Sequence, residues 1–114
     1  MLRGSMPRGI RTRNIVKYLD DGFMMYKELN TLLGKVVGFT VVLIKENDKG
    51  IREGISRFDT AHEVVHRDVL CRSKPGAVID KKWYPELSFK DGYNFADKNF
   101  SEHYHEYYAF YENN

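Results

Sequence analysis

Cys71 is the only cysteine among the 114 residues, so no disulfide can form within the chain. A reducing compartment is therefore expected, and the cytoplasm fits best. No apolar run approaches the length needed to span a bilayer, so no membrane partner is expected. The N-terminus lacks the apolar core of a signal peptide. Net charge is also scarce: the formal +2 is too small to argue for nucleic acid by itself. As a nucleophile Cys71 has little to recommend it, since only Arg72 marks its surroundings. A lone cysteine more often serves as a small buried group.

What is present is an ordinary globular composition, 42% hydrophobic and 30% charged, enough for one core without a metal or disulfide staple. Met1–Ser5 reads as a cloning leader before a start at Met6. Arg3, Arg8, Arg11, Arg13 and Lys17 all precede the first acidic residue, Asp20. Such a run is expected as a solvated basic tail, with phosphate contact as the functional alternative. The expected organisation is a leader and flexible basic tail over residues 1–13 and a single domain over 14–114.

Hydrophobic periodicity divides that domain. Residues 14–29 suit either a helix or two strands about Asp20-Asp21-Gly22; the glycine and the aromatic content favour the hairpin. Asn30 to Gly34 is expected as a loop. Val36 to Glu46 alternates with apolar residues on both faces, as a central strand does. Asn47-Asp48-Lys49-Gly50 is a turn, and Ile51 to Thr60 returns antiparallel. Ala61-His62-Glu63 is a short connection to a strand over Val64 to Cys71, and a short extended piece covers Val78 to Trp83. Ser88 is a good N-cap with Asp91 three residues on. Apolar residues then recur at 89, 93, 96, 100, 104, 107, 108 and 111, the spacing of a long amphipathic helix whose stripe packs inward. Gly92 looks like a minor flaw in its first turn. The expected fold is α+β: an antiparallel meander of about four to five strands packed by one C-terminal helix.

One stretch interrupts this framework. Residues 57–68 carry Arg57, Asp59, His62, His66, Arg67 and Asp68. Strand alternation puts Arg57 and Asp59 on one face, and His66 and Asp68 on one face of the next strand. A tight connection would bring these four together, with His62 at the rim and Arg67 pointing away. Three chemistries suit such a set. In phosphodiester cleavage, His62 and His66 exchange protons, Arg57 binds phosphate, and Asp59 and Asp68 orient the rings. In a metal site, Asp59, His62, His66 and Asp68 are the ligands, a mixed set that suits zinc, manganese or iron. In a structural cluster, the ion pairs stiffen the sheet of a protein-interaction module. No cofactor is demanded. Lone histidines on a helix, here His103 and His105, usually have packing or surface roles. Trp83 and Tyr84 look like packing anchors.

The segment Arg57-Phe58-Asp59-Thr60-Ala61-His62 with His66-Arg67-Asp68, the Lys82-Trp83 step and a tyrosine-rich terminal helix resemble a family of small, mainly archaeal proteins of unknown function. The resemblance covers roughly residues 23–112. Glu63 departs from it, standing where a glycine is expected. A looser similarity, resting on Arg57, Asp59, His62 and His66, is to TumE-like toxins of toxin–antitoxin pairs. That similarity implies an RNA-directed activity and a small antitoxin partner. Substrate and oligomeric state are not encoded in any motif of the chain.

Overall fold

The computed structural model describes residues 9–114. Six strands form one antiparallel sheet in sequence order: β1 (Ile10–Tyr18), β2 (Phe23–Leu32), β3 (Lys35–Glu46), β4 (Arg52–Asp59), β5 (His66–Val69) and β6 (Asp80–Trp83). One helix, α1 (Phe89–Asn113), packs across a single face. The α+β meander is as expected, but with six strands rather than four or five. The reading of Met1–Ser5 as a leader lies outside the described residues. Arg11 and Arg13 belong to β1, whose residues after Ile10 are all exposed.

Residues 14–29 fold as the hairpin. Asp21 and Gly22 have φ of 55° and 76°, the two left-handed positions that a tight hairpin turn requires. Leu33 and Gly34, at 50° and 80°, make a second such turn, so β2 runs to Leu32 where a loop was expected from Asn30. The core lies between sheet and helix. Phe39, Val41 and Leu43 of β3, Phe58 of β4 and Phe23 and Met25 of β2 meet Ala96, Phe100 and Tyr111 of α1. The aromatic stripe is thus core, as its period implied. Each large side chain buried this way contributes about 1.5–3 kcal/mol. Cys71 is a buried free thiol.

The helix starts where Ser88 accepts a hydrogen bond from the Asp91 amide at 3.1 Å. Asp97 ties it to the sheet by ion pairs to Lys17 (2.7 Å) and Lys27 (2.5 Å). Burial alone would raise the Asp97 carboxyl, but hydrogen bonds and charge from the two lysines outweigh it and hold it below the ordinary carboxylate range. No helix among the described residues is long and apolar enough to cross a membrane.

Candidate functional site

β4 and β5 pair with Arg57 opposite Asp68 and Asp59 opposite His66. The short connection therefore does what alternation demanded. All four side chains lie on the sheet face away from α1, while Phe58 and Val69 are buried with the core. β6 extends the same face, placing Lys81 opposite Asp68 and Trp83 opposite His66. Sequence reasoning missed Lys81 and took Trp83 for a packing anchor. Their shared alternation was visible, but their pairing partner was not.

Asp68 is the hub. It accepts from Arg57 Nε at 3.0 Å, again from Arg57 Nη2, and from Lys81 Nζ at 2.6 Å. Burial would raise its carboxyl, yet these hydrogen bonds and the two positive charges prevail and leave it below the ordinary range. Arg57 Nε also lies 3.2 Å from Asp59. Asp59 accepts from the Ala61 amide at 2.9 Å, which anchors the start of the connection. His66 donates from Nδ1 to the Val64 carbonyl at 3.0 Å, which fixes the ring. Its Nε2 then lies 3.0 Å from Asp59 and 3.4 Å from Asp68. Nε2 nevertheless has no hydrogen-bond partner among the described residues.

Accessibility sorts the cluster into two layers. The side chains of His66 and Asp68 are 1% exposed and that of Asp59 is 15% exposed, whereas Arg57 and Lys81 stand at 39% and 31%. Trp83 lies over His66 with ring centroids 5.1 Å apart and is itself 49% exposed. His62 is exposed on the connection, 6.3 Å from His66 between centroids. His62 and Glu63 both adopt left-handed backbone, with φ of 63° and 61°. Glycine takes this conformation without the cost of about 1–2 kcal/mol that an L side chain bears. Glu63→Gly is accordingly expected to raise stability by about 0.5–1 kcal/mol, read as a higher denaturant midpoint at unchanged slope.

Asp59, His66 and Asp68 each offer one ligand atom, all within 4.8 Å of one another. They nonetheless do not fit a metal ion. The Asp68 oxygens are already taken by Lys81 and Arg57, and a divalent cation would face both of those charges at contact distance. The fourth expected ligand, His62, is not drawn into this group. Arg67 turns to the opposite face, and His103 and His105 lie on α1, near Glu106 (3.2 Å) and Asp20 (3.7 Å).

A domain family model, described as a domain of unknown function (DUF7718), matches residues 10–114. The chain belongs to this family. The match begins at β1 and takes in every strand and the helix, so the DUF7718 domain is the whole described fold. It agrees with a family of unassigned function. No curated protein and no solved structure matches the chain. The chemistry of this DUF7718 domain therefore rests on its own side chains.

Proposed function

We propose that this domain is a non-catalytic module that binds single-stranded RNA on the β4–β6 face. One observation carries the reading: the acidic groups of the cluster lie beneath and the cations lie above, beside an exposed indole. Arg57 and Lys81 are held in place by a carboxylate that solvent does not reach. Both cations stay partly exposed next to Trp83, and His62 stands exposed on the adjoining connection. Cations that track phosphates and an aromatic face that stacks a base are the two parts of sequence-tolerant single-strand binding. Proton exchange by His66 is poorly served, because its ring is buried under Trp83 and between two carboxylates.

The test uses Trp83, the only tryptophan. Titrating the full chain with a uridine decamer should quench its fluorescence saturably, and binding should weaken as salt rises. Trp83→Leu, followed by anisotropy of labelled RNA, should weaken binding on the order of tenfold or more. Lys81→Met should lower the slope of log affinity against log salt by about 0.7. Thermal melts establish that each variant is folded. No binding at low salt, or variants indistinguishable from wild type, would refute the proposal. Cleavage of the decamer that disappears with His62→Ala would replace it with a nuclease.

A further inference from the structure

On the other side of the sheet, between β4–β6 and the last turns of α1, lies a cleft of about 360 Å³. It is separate from the Arg57–Asp68 cluster, because Arg67 alternates with His66 and Asp68 and so points to the helix side. We infer that this cleft is a binding site for a small organic anion, a carboxylate or phosphate ester carrying an apolar body.

Arg67 carries the inference. Its guanidinium stacks over the Tyr107 ring, 4.1 Å from the centroid, and Nη1 donates to Ser56 Oγ at 3.0 Å. Ser56 Oγ in turn donates to the Asp68 carbonyl at 2.7 Å, and Tyr107 donates to Asn99 at 2.6 Å. Both supports are thus fixed from behind. Among the described residues Arg67 makes no ion pair within 4 Å, although its charge reaches Asp80 across the cleft, and its buried Nε has no acceptor. The neighbouring acids are already engaged: Asp80 pairs with Lys82 at 3.0 Å and Glu106 with His103 at 3.2 Å. Buried donors are nearly always matched, and a planar guanidinium that spends an Nη1 hydrogen on Ser56 has further N–H groups suited to a carboxylate or phosphate. Ile55, Val69, Leu70 and Phe110 supply apolar walls beside it. The volume falls in the range of roughly 300–1,000 Å³ usual for small-molecule sites.

Amide NMR spectra of the full chain, titrated with phenyl phosphate and separately with 3-phenylpropionate, test this. At least one should shift the Ser56, Val69, Leu70 and Phe110 amides saturably; which one does so separates a phosphate ligand from a carboxylate. The neutral analogue 3-phenylpropanol should bind at least about tenfold more weakly. Arg67→Met, which keeps the stem over Tyr107, should weaken the anion by a similar factor. The comparison of anion with alcohol on wild type stands even if that variant does not fold. Absence of saturable shifts with both anions, or equal binding of the alcohol, would overturn the inference.

Discussion

Replacing Asp68 with alanine is expected to lower the unfolding free energy by about 3 kcal/mol. The carboxylate is buried and is shared by Arg57 and Lys81, so its removal leaves Lys81 without an anionic partner among the described residues and Arg57 with Asp59 alone. Removing one partner of a buried pair costs about 3–5 kcal/mol. The lower end applies because both cations are about one-third exposed and recover hydration. Urea denaturation of wild type, Asp68→Ala and Asp68→Asn measures it. Asparagine keeps the shape and one acceptor, so it should fall between the other two. A loss under about 1 kcal/mol in the alanine variant would mean that the cluster adds little to the sheet.

The same carboxylate gives stability a pH dependence of definite sign. Asp68 and Asp97 both have folded-state values below the ordinary carboxylate range. Their contribution is complete above the unfolded carboxylate value and is lost as pH falls through the depressed folded values. Wild type should therefore become easier to unfold as pH drops below about 4. Asp68→Asn should show a shallower acid dependence, with the Asp97 share remaining.

The β4–β5 half of the cluster was legible because it needs only local facts. A period of two sets the faces, and three residues between Thr60 and Val64 leave no room for any partner but the adjacent strand. The β6 half was not. Ten residues separate Val69 from Asp80, and a four-residue strand carries too little pattern to choose a neighbour. Without Lys81 and Trp83 in place, His66 reads as an exposed histidine on an open face. Its burial under Trp83 suits a supporting role better than proton exchange. β1 was obscured differently. Its residues after Ile10 are all exposed, so the periodic signal that marks a half-buried strand is weak there. Glu63 shows the converse: a departure from an expected glycine falls on backbone that glycine favours.

Gly92 was read as a helix flaw, and the structure gives it a purpose that propensity does not see. A Cβ at this position would stand 2.6 Å and 3.0 Å from the two methyl carbons of Val65 and 3.3 Å from Phe39. Val65 is β-branched, buried and next to His66, so it has little rotamer freedom with which to retreat. Glycine there lets the first turn of α1 rest directly on the segment that carries His66. Alanine would gain about 1 kcal/mol of helix propensity. Forcing extra bulk into a close-packed contact costs about 1–3 kcal/mol, and two methyl carbons at 2.6 Å and 3.0 Å place this case at the upper end. Gly92→Ala is thus expected to destabilise the domain by about 2 kcal/mol net, against the direction propensity alone gives. The displacement should also reach the opposite face, since pushing Val65 away moves His66 and the Trp83 ring above it. A blue or red shift of Trp83 emission in the folded variant, together with the lowered denaturant midpoint, is the expected pair of readings. A variant as stable as wild type or more so would show that the helix stands off the sheet farther than 2.6 Å implies, and would remove Gly92 from the elements that position the cluster.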